Sequence, residues 1–225
     1  MQFLYHPEAG ASQLLLEGES YRYLFKVRRL RSEDPLHLRN MRDDCLYTYR
    51  TETLDRRRAR IALVSCRDLK IVLNRKLHLG WCQIDPRNVE KTLPALNEMG
   101  VFGITFVRCE RSQRQFEPDF ERLERILINS SQQCGRSELM RLETAESLEA
   151  FLERHPEAML LDFSDRRLPC GGDWTERSIV VGCEGGFTPE ERALFSEERI
   201  FGLETPTILR SETAVCAAAA RLLLG

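Results

Sequence analysis

Ile179-Val180-Val181 runs directly into Gly182-Cys183-Glu184-Gly185-Gly186-Phe187 and then into Thr188-Pro189-Glu190-Glu191. This stretch constrains the fold more than any other. The β-branched apolar run reads as a buried strand. Thr188 is placed as an N-cap, Pro189 as the first helical residue, and Glu191 completes a Thr-x-x-Glu capping box. A strand, a tight turn and a helix start in immediate succession belong to an α/β layer. Glycine at 182, 185 and 186 lets the backbone turn sharply and approach a ligand closely. Taken alone, the same glycines serve equally well as a strand-to-helix connection.

The alternation extends back to about residue 70. A linker near Cys66–Lys70 leads into a strand at Ile71-Val72-Leu73 and a second at 76–83. Asp85-Pro86 opens a helix with an apolar stripe of Val89, Leu93, Leu96 and Met99, closed by Gly100. Pro94 inside that helix predicts a kink. Strand Ile104–Val107 precedes Glu110-Arg111-Ser112, and a helix over about 118–134 carries Phe120, Leu123, Ile126 and Leu127 on one face and ends at Gly135. Thr144 is read as the N-cap of a further helix to about Arg154. Strand Met159-Leu160-Leu161 ends in Asp162-Phe163-Ser164, and a last helix begins at Ser211 with four consecutive alanines at 217–220. Alternating strands and helices imply a parallel sheet, and the pattern alone predicts a Rossmann-like fold.

The first 70 residues read differently. Gln13–Leu16, Pro35–Arg39, Cys45–Thr51 and Arg60–Ser65 are strand candidates rich in aromatic and β-branched residues. Between the first two, Leu24, Val27 and Arg28 fall at helical spacing, giving a short basic amphipathic helix. Several short strands with one helix suggest a small barrel. Arg56, Arg57, Arg58 and Arg60 crowd the tip between the last two strands, where their repulsion is relieved by an anion such as phosphate, or by solvent on an ordinary exposed hairpin.

Charge separates the two parts. Residues 1–70 carry 14 Lys/Arg against 10 Asp/Glu, and the other 155 carry 19 against 25. A basic N-terminal part suits docking on phosphates, and an acidic remainder argues against indiscriminate nucleic-acid binding. No apolar run approaches the roughly 20 residues that span a bilayer, and the N-terminus lacks the regions of a signal peptide. A cytoplasmic protein is expected, with no membrane partner. The eight cysteines are scattered without C-x-x-C spacing, so neither a metal site nor a disulfide framework is expected.

Two motifs carry a family resemblance. Gly182–Phe187 resembles the "GPEGGF" loop, with Cys183 in place of proline, and Leu209-Arg210-Ser211-Glu212-Thr213-Ala214 matches an "LRxETA" loop. In this order, before an alanine-rich terminal helix, they resemble the RsmE family of SPOUT methyltransferases, which methylates N3 of a uridine in 16S ribosomal RNA. Lys26-Val27-Arg28-Arg29-Leu30-Arg31 is similar to the family's "KVLRLxxGD" signature, with Ser32-Glu33-Asp34 at the glycine-aspartate turn. Glu110-Arg111-Ser112 matches its "ERS", and Gln133-Cys134-Gly135-Arg136 resembles its "EQSGR".

The resemblance implies a PUA-like RNA-binding barrel over 1–70 and a SPOUT methyltransferase domain over 71–225, an α/β fold whose C-terminal helix threads a deep trefoil knot. It implies S-adenosylmethionine as cofactor, a homodimer, and 16S rRNA or the small ribosomal subunit as partner. The cofactor slot is expected from three loops at strand ends, with Leu161, Asp162, Gly182, Glu184, Gly185, Gly186, Leu203, Ile208, Leu209, Ser211 and Ala214 lining it. A carboxylate suits as the acceptor of the N3 proton of uridine, and an arginine stabilises the charge that its removal leaves on the neighbouring carbonyl oxygens. Arg210 and Glu212 are the candidates, although loop capping fits Glu184 and Glu212 equally well. Lys26, Arg28, Arg29, Arg56, Arg57 and Arg58 are expected on the RNA, and Arg111 and Arg136 on the RNA or in a partner subunit's pocket. The alternatives are a SPOUT enzyme acting on another RNA and a non-catalytic RNA-binding module of the same fold. The "LRxETA" motif with an N-terminal barrel argues against the first, and the intact glycines against the second.

Overall fold

The computed structural model describes residues 3–113 and 117–225. The chain forms two compact units, Met1–Val72 with Ile128–Leu139, and Leu73–Leu127 with Met140–Gly225.

The first unit is a five-stranded sheet. Its strands are β1 (Leu4–Tyr5), β2 (Gln13–Leu16), β3 (Leu36–Arg39), β4 (Cys45–Leu54) and β5 (Ala59–Asp68), in the order β1-β3-β4-β5-β2. All neighbours are antiparallel except β1 and β3. Leu14, Leu16, Leu36, Leu38, Tyr49 and Ile61 alternate inward to form its core. The strand β5 runs through the expected linker to Asp68, and residues 71–73 form no strand. There the Ile71 N–H donates to Ser137 Oγ at 2.9 Å instead of to a neighbouring strand.

The expected amphipathic helix is short and irregular. A single α-turn, α1 (Gly18–Tyr21), passes into a π-helical stretch at Arg22–Val27. The wider π-turn shifts the phase of the side chains. Tyr21, Leu24 and Phe25 are buried in consequence, and Val27, expected on the apolar stripe, is 63% exposed. Arg28 N–H reaches Tyr23 O and Leu30 N–H reaches Leu24 O, closing the helix over Arg29, whose φ is +56°. Glycine usually holds such a closing position, so Arg29 stands there at a backbone cost of about 1 kcal/mol.

The second unit is a six-stranded parallel sheet. Its elements are β6 (Lys76–Cys82), α2 (Pro86–Glu98), β7 (Gly103–Val107), α3 (Phe120–Cys134), β8 (Arg141–Ala145), α4 (Leu148–Arg154), β9 (Met159–Leu161), β10 (Glu176–Val181), α5 (Pro189–Arg192), β11 (Ile200–Phe201) and α6 (Ser211–Leu223). The order is β11-β9-β10-β6-β7-β8, every pairing parallel. From Ile128 onward α3 belongs to the first unit.

Asp85 caps α2 by accepting from Arg87 N at 2.7 Å, and the helix runs unbroken through Pro94. Val89, Leu93 and Leu96 are buried as the stripe requires, with Met99 half-buried. In α3, Leu123 and Leu127 face inward but Phe120 is 41% exposed. Thr144 does not cap a helix. It lies in β8, and Ser147 caps α4 by accepting from Ala150 N at 3.2 Å. The β8 strand sits at the sheet's edge and carries Arg141 and Glu143, so its sequence lacks the apolar run of an internal strand. Finally, α6 packs on α2, β6 and β10, burying Val215, Ala218, Ala219 and Leu222.

Candidate active site

Because β11, β9 and β10 are neighbours and parallel, the segments leaving their carboxyl ends meet at one edge: 162–175, 182–188 and 202–210. Open α/β sheets bind their ligands along that edge. Two side chains fix the middle segment from opposite directions.

The first is Ser211, the opening residue of α6. Its hydroxyl donates to Gly182 O at 2.5 Å and accepts from Trp81 Nε1 at 2.9 Å. Trp81 and Ser211 are both buried, so a relay from the middle of the sheet to the start of the last helix holds the entry to the glycine loop. Ser211, expected to line the cofactor slot, is itself buried and holds the carbonyl at the entry to the loop.

The second is Arg111, after β7. Its Nη1 donates to Gly185 O at 3.0 Å and Phe187 O at 3.1 Å. In return Cys183 Sγ donates to Arg111 O at 3.2 Å. The capping box is formed: Glu191 Oε2 accepts from Thr188 N at 2.9 Å, and Thr188 Oγ1 from Glu191 N at 3.2 Å. The free oxygen, Glu191 Oε1, accepts from Glu110 N at 2.8 Å, a further tie to the same segment.

These contacts revise the part played by the glycines. Of the three, only Gly186 is in the left-handed region, with φ +65°. At Gly185 the constraint is contact, since a Cβ there would lie 2.9 Å from Arg111 Cβ. At Gly182 a Cβ would lie 3.0 Å from Phe187 Cε2. The loop is tight against Arg111 at Gly185 and against its own Phe187 at Gly182.

What the loop leaves open is a set of hydrogen-bonding and apolar groups. No described residue accepts from the N–H groups of Glu184 and Phe187. On the segments after β9 and before α6, Phe163 is 77% exposed and Ile208 82% exposed, with Leu203 and Leu209 half-buried. Open amides and uncovered apolar side chains on segments leaving the same sheet edge suit the purine edge and hydrophobic faces of an adenosyl group. Leu161 is buried at the end of β9, and Ala214 is half-buried in α6. Asp162, expected in the slot, pairs with Arg192 at 3.5 Å. A cleft of about 320 Å³ lies alongside, between Ser164–Arg167 and Gly202–Pro206, and takes in Leu203 among the expected residues.

Arg210 is exposed, and its guanidinium has no partner among the described residues; its carbonyl accepts from Thr213 and Ala214 N at 3.0 and 2.8 Å. Glu212, half-buried in the first turn of α6, suits the positive end of the helix. Three buried thiols lie at this edge, Cys183 within the loop itself. Cys82 Sγ is 2.6 Å from Cys109 Sγ, and burial pushes the Cys82 and Cys183 thiols up, which suits packing groups and not nucleophiles.

The expected RNA-contacting residues divide. Lys26, Arg28, Arg29, Arg56, Arg57 and Arg58 are all exposed. Tyr21 OH donates to Asp55 O at 2.7 Å and Lys26 Nζ lies 5.6 Å from the Tyr21 ring, so the π-helix and the arginine tip adjoin. Arg58 is partly neutralised by Asp55 at 3.1 Å. By contrast Arg136 is buried, and burial lowers its pKa to about 10. Sequence reasoning missed Trp81, Phe163 and the second contact of Glu191, none of which belongs to a local motif.

Comparison with known proteins agrees with this geometry. A family model described as an RNA methyltransferase domain matches residues 72–223. The chain is 40% identical over 217 residues to the ribosomal RNA small subunit methyltransferase E of Helicobacter pylori strain J99, covering 95% of this chain and 96% of that one. The protein of the same name from Aquifex aeolicus is 24% identical over 96% of each chain. The crystal structure of a ribosomal RNA small subunit methyltransferase E from Neisseria gonorrhoeae, bound to S-adenosyl methionine, has the same fold, with a TM-score of 0.73 at 24% identity over 98% of this chain and 96% of that one. With a matching family model over most of its length and relatives covered almost end to end, the chain belongs to the ribosomal RNA small subunit methyltransferase E family.

Proposed function

We propose that the chain transfers a methyl group from S-adenosylmethionine to N3 of a uridine in 16S rRNA. The observation that carries this reading is the glycine loop at 182–187, fixed between Ser211 and Arg111 with open amides at the edge of a parallel sheet. Family membership supplies the rRNA. When bound, the cofactor supplies an electrophilic methyl group. The protein must then free the N3 lone pair and hold the base in line. Arg210 stabilises the charge that spreads onto the uracil carbonyl oxygens, and Glu212 takes the N3 proton or orients the loop.

In this reading residues 1–70 are a PUA-like RNA-binding barrel, 71–225 are a SPOUT domain, and the passage of α6 behind the 182–187 and 203–211 loops forms a trefoil knot. The relay from Trp81 through Ser211 to Gly182 and the buried alanines of α6 support close passage of the helix. The enzyme works in the cytoplasm as a homodimer, which sedimentation at micromolar concentration measures.

The test is methylation by the purified chain. With labelled S-adenosylmethionine and small-subunit RNA or subunits, label is expected on N3 of a uridine, located by nuclease digestion and mass spectrometry. Label on tRNA or on a ribose oxygen would favour the other SPOUT activity. RNA binding without cofactor binding would favour the non-catalytic module.

The basic surface of the first unit makes a separate prediction. Replacing Arg56, Arg57 and Arg58 with Ser is expected to weaken RNA binding and lower its salt slope by about 1–2, leaving cofactor affinity unchanged. Titration at several salt concentrations checks this, and an unaltered slope would remove the tip from the interface.

A further inference from the structure

The segment after β7 crosses the end of β6 to reach the segment after β10, since the strand order there is β10-β6-β7. Its contacts form a closed ring. Arg111 donates to two carbonyls of the glycine loop, at Gly185 and Phe187, and the loop's Cys183 thiol donates back to the Arg111 carbonyl. Glu191, in the α5 turn that follows the loop, accepts from Glu110 N. The segment is itself braced, because Ser112 is buried and its hydroxyl accepts from Cys109 N at 2.9 Å. Gly185 has no side chain at the one place where Arg111 Cβ comes closest.

We propose that Arg111 is a positioning residue for the cofactor loop, acting through the Gly185 and Phe187 carbonyls, and not an RNA ligand or a contributor to a partner's pocket. The inference rests on reading 182–187 as the cofactor loop. A guanidinium suits the task because it is planar and always charged, and it can serve two acceptors from one position. With both carbonyls turned toward Arg111, the peptide groups that carry them are set, and the Gly186–Phe187 peptide between them, with its open Phe187 N–H, is confined from both sides. A surface arginine bonded to one carbonyl would contribute little. Two carbonyls, a returning thiol and a neighbouring carboxylate together make the loop a single rigid piece.

The expected result for Arg111→Ala is a rise of about tenfold in the dissociation constant and KM for S-adenosylmethionine. The kcat at saturating cofactor should stay within about twofold, and RNA affinity should be unchanged. Arg111→Lys, whose ammonium offers a point charge without a planar fork, should fall between the two. Hydrogen exchange supplies a readout independent of ligand: the Gly186 and Thr188 amides, bonded to Cys183 O and Glu191 Oε2 and carried by the peptide groups whose carbonyls Arg111 holds, should exchange faster in Arg111→Ala without cofactor. Should Arg111→Ala not fold, Arg111→Lys carries the same measurements. Unchanged cofactor affinity with weakened RNA binding would overturn the proposal, as would unchanged loop exchange. If the wild-type chain binds no S-adenosylmethionine, the functional reading fails, while loop exchange still decides whether Arg111 holds the loop.

Discussion

Gly185→Val is expected to abolish S-adenosylmethionine binding. A Cβ at 185 would meet Arg111 Cβ at 2.9 Å and Arg111 Cδ at 3.4 Å, and a branched side chain adds to the overlap. Either the 109–112 segment or the loop must move, and movement of either breaks the two bonds from Arg111 Nη1. The backbone at 185 is not left-handed, so the loss would come from contact alone. Gly186 is the converse case: a Cβ there meets nothing within 4 Å but the φ is +65°, so Gly186→Ala carries only the backbone penalty of about 1–2 kcal/mol. Thr188→Ala is the control. It removes the N-cap at a cost of about 1 kcal/mol and should leave cofactor affinity nearly intact. Calorimetric titration of Gly185→Val and Thr188→Ala separates these readings, and wild-type affinity in Gly185→Val would mean that the loop does not hold the cofactor.

Arg210→Ala is expected to lower the methylation rate by about 10²–10³ with little change in cofactor affinity. That is the usual loss when one group aimed at developing charge is removed from an active site. Arg210 is exposed and unengaged among the described residues, in contrast to Arg111 and Arg136, so no structural contact is lost with it. Single-turnover methylation at saturating cofactor isolates the step. A rate within threefold of wild type would take Arg210 out of the chemistry and leave Glu212 to be tested alone.

The parts of the site that could be read from the sequence are those fixed by neighbours in the chain. The capping box at Thr188–Glu191 formed as its spacing requires, because an N-cap and its N3 partner are three residues apart whatever the tertiary fold. The apolar stripe of α2 and its Asp85 cap were legible for the same reason. By contrast, the edge strand β8 carries Arg141 and Glu143 in place of an apolar run, and the π-turn at 22–27 changes side-chain phase without any marker residue. The partnership of Arg111 with Gly185 was out of reach. It joins positions 74 apart and exists only because β10 and β7 flank β6 in the folded sheet. A motif marks which residues matter; the strand order decides what each one touches.

The hydroxyl that links Trp81 to Gly182 comes from residue 211. All six strands of the parallel sheet lie upstream of that residue, as does the whole glycine loop. A chain emerging during translation can therefore assemble the sheet and still present a loop whose entry carbonyl lacks its anchor. The loop acquires its support only when α6 arrives. A chain terminated before residue 211 therefore contains the glycine loop without the fastening that sets it.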